Sequence, residues 1–175
     1  DNTGFLGTIN MTADLAMAAL EAELAYKEGD LVGSTDDPLG GFLKASFATG
    51  VGNYAGVVGF ANDGFEADGD FGPFLMLSDY SQIATGQLIG SGGDTTFFAL
   101  TGDWKVSESW GVGLVWAFAD QDVTGDAMEF GGTASYAISD GAKLNGVIGY
   151  LDQDVDNDDN SGNPFGFGLS LEISY

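Results

Sequence analysis

The sequence predicts an all-β fold: antiparallel up-and-down strands of a transmembrane β-barrel, about nine of them in this chain, forming part of a larger barrel. Three features predict it. Segments of about ten residues alternate between large apolar and small or polar side chains. The connections between these segments alternate between short and long. The long connections hold 17 of the 27 acidic residues, and the apolar faces hold almost none.

The first segment, 4–13, places Phe5, Gly7, Ile9 and Met11 on one face. The second, 17–28, places Ala18, Leu20, Ala22, Leu24 and Tyr26 on one face and Glu21, Glu23 and Lys27 on the other. The stretch 12–28 is also rich in Ala, Leu, Met and Glu, with Thr12 positioned to cap a helix and Gly29 to end it. Context overrides propensity in strands, and the hairpin spacing runs through this stretch. Strands are therefore the preferred reading and a helix the competing one.

Gly41, Leu43, Ala45 and Phe47 mark a third strand over 39–48, and Tyr54, Gly56, Val58 and Phe60 a fourth over 53–62. Thr96, Phe98, Leu100, Gly102 and Trp104 mark 94–105; Trp110, Val112, Leu114, Trp116 and Phe118 mark 109–119. Met128, Phe130, Gly132, Ala134, Tyr136 and Ile138 mark 127–138, and Ser139-Asp140-Gly141 follows as a tight hairpin signal. Ala142, Leu144, Gly146, Ile148 and Tyr150 mark 142–152. The last strand, 165–175, carries Phe165, Phe167, Leu169, Leu171, Ile173 and Tyr175 against Gly166, Gly168, Ser170, Glu172 and Ser174.

Short turns fall near 14–17, 49–53, 106–109 and 139–142, and long acidic connections near 29–38, 62–94, 119–127 and 152–163. Membrane barrels have short turns at one end and long loops at the other, whereas a soluble sandwich mixes lengths at both ends. A charge facing lipid at mid-depth costs about 2–4 kcal/mol, which explains the uncharged face. Trp104, Trp110, Tyr54, Tyr136, Tyr26 and Tyr175 lie near strand ends on that face, where aromatic girdles sit.

Composition bounds the chemistry. The chain reads as one domain over residues 1–175. It has no Cys and no His, so disulfides, thiol chemistry and imidazole acid–base catalysis are excluded. Its only cations are four lysines and its net charge is -23, so a nucleic-acid partner is not expected. No run of about 18 apolar residues exists for a membrane helix, which says nothing against membrane strands. Serines occur without a histidine, and Glu21 and Glu23 are paired by strand alternation, so no catalytic constellation emerges and no enzyme activity is expected.

A chain ending in an aromatic residue with alternating apolar residues before it resembles the assembly signal of Gram-negative outer-membrane β-barrel proteins. Here those residues are Phe167, Leu169, Leu171, Ile173 and Tyr175, with Tyr in place of the commoner terminal Phe. The hairpin pattern, which covers nearly the whole chain, resembles the C-terminal part of a porin. The resemblance implies an outer-membrane location, contact with lipid, a homo-oligomer and passive passage of small solutes. An odd strand count does not suit an ordinary bacterial barrel. The remaining strands are therefore expected from a preceding segment or another chain, with Asp1 following a break.

The expected pore lining is Glu21, Glu23, Lys27, Lys44, Ser46, Asp103, Lys105, Glu129, Thr133, Ser135, Lys143, Asn145 and Glu172. Carboxylates in a pore favour cations, so a cation preference is expected. The loop 62–94 contains an apolar run, Phe71 to Leu77, suited to folding inward as a constriction. Asp154, Asp156, Asp158 and Asn160 alternate hard oxygen donors and form a candidate calcium loop, the one cofactor the sequence suggests. Two other functions fit the same pattern: a plugged barrel that scaffolds a partner protein, and a soluble secreted acidic β-protein of a halophile.

Overall fold

The structure, a computed structural model, describes residues 6–27, 39–62, 94–122, 125–155 and 163–174. Among these described residues nine strands form: β1 (Leu6–Leu15), β2 (Ala18–Lys27), β3 (Leu39–Ala48), β4 (Gly52–Asn62), β5 (Thr95–Lys105), β6 (Trp110–Gln121), β7 (Gly125–Ser139), β8 (Ala142–Val155) and β9 (Phe165–Ile173). They make one sheet in chain order, every neighbouring pair antiparallel. The expected all-β, up-and-down architecture is therefore observed. Among the described residues the sheet is not closed, and β1 and β9 are its two edges.

The helix-prone stretch 12–28 is a hairpin. Leu15 pairs with Ala18 across a two-residue turn at Ala16 and Met17. Ala16 adopts the left-handed conformation, φ 43°, which costs a non-glycine residue about 1–2 kcal/mol. The cost is offset because β2 is paired on both sides, residue by residue, with β1 and β3. Tertiary pairing thus overrides the local helix propensity of Ala, Leu and Glu.

The β3–β4 and β5–β6 turns are closed by side chains as well as backbone. Thr49 Oγ1 accepts from the backbone N–H of Gly52 (3.1 Å) and Val51 (3.3 Å). Ser107 Oγ accepts from the N–H of Trp110 (3.0 Å) and Ser109 (3.3 Å). Short hydroxyl side chains favour such local bonds to the main chain, which is why Thr and Ser punctuate these hairpins. The β7–β8 turn follows a register shift between Ala137 and Ser139.

One connection differs from expectation. The segment 119–127 reads as a loop, yet β6 runs to Gln121 and β7 starts at Gly125. Asp120 pairs with Asp126, and Asp126 with Asp154, so three carboxylates stand in a row on the apolar face. Like charges directly opposite are destabilising. Here all three are exposed at the strand ends, where water solvates them. The strands continue past the apolar band, and acidic composition alone reads as loop.

The two faces of the sheet differ in an unusual sense. The apolar face is exposed: Phe167 is 81 % accessible and Leu169 76 %, with Leu43, Leu100, Leu114, Trp116, Phe130 and Ile148 also exposed. The buried residues lie on the opposite face, among them Val57, Phe97, Ala99, Val115, Ala117 and Leu151. Along β6 the apolar face runs Trp110, Val112, Leu114, Trp116, Phe118 before Asp120. Ten residues at about 3.3 Å each, tilted as barrel strands are, rise about 25 Å, the height of a lipid-facing band.

Aromatic residues mark the short-turn end of that face. Trp104 Nε1 donates to Tyr54 Oη (2.9 Å), Tyr54 stacks on Phe47 at 4.9 Å, and Trp110 lies 4.8 Å from Tyr136. These amphipathic rings stand where a membrane–water interface would meet the wall.

Candidate functional site

Side chains at period two share a face, so register decides which residues meet. One transverse row runs Thr12, Glu21, Lys44, Val57, Ala99, Ala117, Glu129 and Leu151. The rows two residues away along each strand share its face. They contain Glu23, Ser46, Asp103, Lys105, Thr133, Ser135, Asn145, Lys143 and Glu172; Lys27 takes the same parity. The twelve residues other than Lys27 that were expected to line a pore therefore lie on one face, opposite the exposed apolar one.

That face also carries what the expected set omitted. Asp14, Asn53, Thr101, Gln121 and Ser170 join it by register. So do the buried Val57, Phe97, Val115 and Leu151, which give this face of β4–β8 an apolar portion. Parity alone identifies them; selecting only polar residues along each strand misses them. Gln121 Nε2 donates to Thr95 Oγ1 at 3.2 Å, and both are buried. Glu129 is 0 % exposed between Ala117 and Leu151, whereas Glu21, Asp103, Lys105, Thr133, Lys143 and Glu172 are exposed.

Charges pair across strands on this face. Lys44 Nζ lies 3.3 Å from Glu21 Oε2, and Lys143 stands directly opposite Glu172. Lys44, Lys105 and Lys143 lie on this face by register. The Lys44–Glu21 pair is exposed, 43 % and 50 %, so it contributes under about 1 kcal/mol to stability. Replacing Lys44 by Met is expected to leave thermal stability within a few degrees while removing one of the few positive charges on this face. Thermal unfolding in detergent checks the first half. A shift of reversal potential towards cations in a salt gradient checks the second.

Of the candidate calcium ligands, Asp154 lies near the end of β8, whereas Asp156, Asp158 and Asn160 lie outside the described residues. Among the described residues no cluster of three or more potential ligands could hold a metal. The apolar run Phe71 to Leu77, read as a constriction, also lies outside the described residues.

No protein-family model matches the chain, and no curated protein matches its sequence. Among solved structures, an anion-selective porin from Comamonas acidovorans superposes with a TM-score of 0.62 at 16 % identity, over 96 % of this chain and 49 % of that one. The fold is that of an outer-membrane β-barrel of the porin type. The chain spans about half the length of the porin it matches.

Proposed function

We propose that the chain builds part of the wall of a porin-like channel in a Gram-negative outer membrane, passing small solutes by diffusion, with a preference for cations. One observation carries the reading: a continuous face of large apolar residues is exposed, while the opposite face holds most of the charged and hydroxylated ones between the strand ends. An exposed apolar face of this extent marks contact with lipid or protein and disfavours a soluble secreted protein. The porin fold supports the same reading. Cation preference rests on the polar face, where Asp14, Glu21, Glu23, Asp103, Glu129 and Glu172 outnumber the four lysines. The matching porin is anion-selective, so this preference belongs to the residues of this chain and not to the shared fold.

The edges β1 and β9 supply a further element of the proposal. In hydrocarbon every backbone N–H and C=O must be paired, and nine meandering strands leave β1 and β9 running in the same direction. An odd number of further strands, from the same polypeptide or another chain, closes such a sheet with antiparallel seams. A plugged barrel that holds a partner is the second reading, favoured by the burial of Phe97 (2 %) and Leu151 (0 %) on the polar face. Single-channel conductance in planar bilayers separates the two: stepwise current supports the channel, and a silent, inserted barrel supports the plug.

Orientation has its own test. The turn at Asp140 is expected to face the periplasm and Asp122 the outside, since short turns are periplasmic in such barrels. Cysteine at Asp122 should react with a membrane-impermeant maleimide on whole cells, and cysteine at Asp140 only after lysis. Equal labelling of both would sink the assignment.

A further inference from the structure

The polar face is not uniform. Near the short-turn end, an open cavity of about 710 Å³ has Asp103, Thr133, Ser135, Lys143, Asn145 and Ser170 as its polar lining, set among glycines and apolar residues such as Val147. Ser135 pairs with Asn145 and Asn145 with Ser170, so two hydroxyls and an amide stand in one row across β7, β8 and β9. At about 4.8 Å between strands the row is about 10 Å long. Thr133 and Asp103 flank it. Their oxygens lean towards one another over Gly113, where an added Cβ would meet Asp103 Oδ1 at 2.6 Å and Thr133 Oγ1 at 2.5 Å. The missing side chain of Gly113 is what lets groups on β5 and β7 converge, with their oxygens at most about 5 Å apart.

Charge on this patch is locally balanced. Lys143 stands opposite Glu172, and Lys105 follows Asp103 by two residues on the same face of β5. Neither an anion nor a cation gains a net field there, in contrast to the β1–β3 side, where Asp14, Glu21 and Glu23 outnumber Lys44. What remains at the centre is a set of neutral donors and acceptors spaced so that one polyhydroxylated molecule can bridge several of them. We propose that this patch is a subsite for uncharged sugars, one that slows and orients a carbohydrate at the short-turn mouth. The subsite rests on the channel reading, because it gives a solute to the same face.

The test separates binding from conduction. Full-length protein in detergent is probed with maltotriose by saturation-transfer NMR, and wild-type protein in planar bilayers is probed for conductance. Binding of maltotriose that weakens about tenfold or more in the Thr133→Val, Ser135→Ala, Asn145→Leu triple variant supports the subsite, as expected for several lost hydrogen bonds. Should the triple variant not fold, Ser135→Ala and Asn145→Ser singly, each expected to weaken binding several-fold, decide the question. Binding is expected to vary less than about twofold as ionic strength is raised, because screening acts on charges and not on neutral hydrogen bonds; a larger loss overturns the neutral-solute assignment. No binding, or binding indifferent to these hydroxyl and amide changes, overturns the subsite even if the protein conducts. Binding intact in a protein that inserts but never conducts supports the subsite and overturns the channel reading instead.

Discussion

Arginine at Leu114 is expected to abolish membrane assembly, while arginine at Ser135 assembles and lowers conductance. Leu114 sits at the centre of the apolar face of β6, about half exposed, with Gly102 and Gly132 beside it on β5 and β7. A guanidinium there meets lipid at mid-depth, where the cost is about 2–4 kcal/mol, and the long rise to either interface leaves little room to snorkel. Ser135 is half-buried on the other face, beside an open cavity that can hold a longer side chain. Membrane fractionation and heat-dependent mobility of the two variants read the result directly. Equal assembly of both would mean that the faces have been assigned the wrong way round.

Gly59→Ala is expected to destabilise the protein by about 1–3 kcal/mol, the usual penalty for overpacking. The new methyl would fall within the Phe97 ring and 2.9 Å from the Gly41 carbonyl oxygen. Phe97 is 2 % exposed, so the ring has no free space to swing into. The second substitution Phe97→Leu should recover most of the loss, because the clash is with the ring and residues in contact couple strongly. Urea unfolding of the two single variants and the double variant measures the coupling. Additive effects would mean that the penalty comes from the backbone at Gly59 and not from the ring.

Period-two alternation made the strands legible wherever one face is uniformly large and apolar. The run from Phe165 to Ile173 is read from sequence and observed as β9. The same parity placed Glu21 with Lys44 and Lys143 with Glu172 on one face before any register was known. Less legible was the extent of β6 and β7, because Asp120 and Asp126 look like loop residues until one sees that strands can rise past the lipid into water. The apolar portion of the polar face was hidden for a different reason. Val57, Phe97 and Val115 break the expectation that a pore wall is polar at every inward position, and only the paired register shows that they share a face with Lys44. The stretch 12–28 was ambiguous because Ala, Leu and Glu satisfy both periods; pairing with β3 is a long-range fact that local composition does not carry.

Lys44, Lys105 and Lys143 stand on the polar face, so none of them is left at the rim of the apolar one. At the long-loop rim Asp120, Asp126, Asp152 and Asp154 stand exposed instead. Among the described side chains this wall has no cation at the rim of its apolar face with which to grip the phosphates of surrounding headgroups, the contact that basic rims make with anionic lipid. Its rim and an anionic leaflet repel each other across a Debye length, and divalent ions shared between carboxylate and phosphate are what would bring them together. The lipid around the barrel is thereby part of its electrostatics: zwitterionic headgroups suit the bare wall, and anionic ones suit it only in the presence of magnesium or calcium.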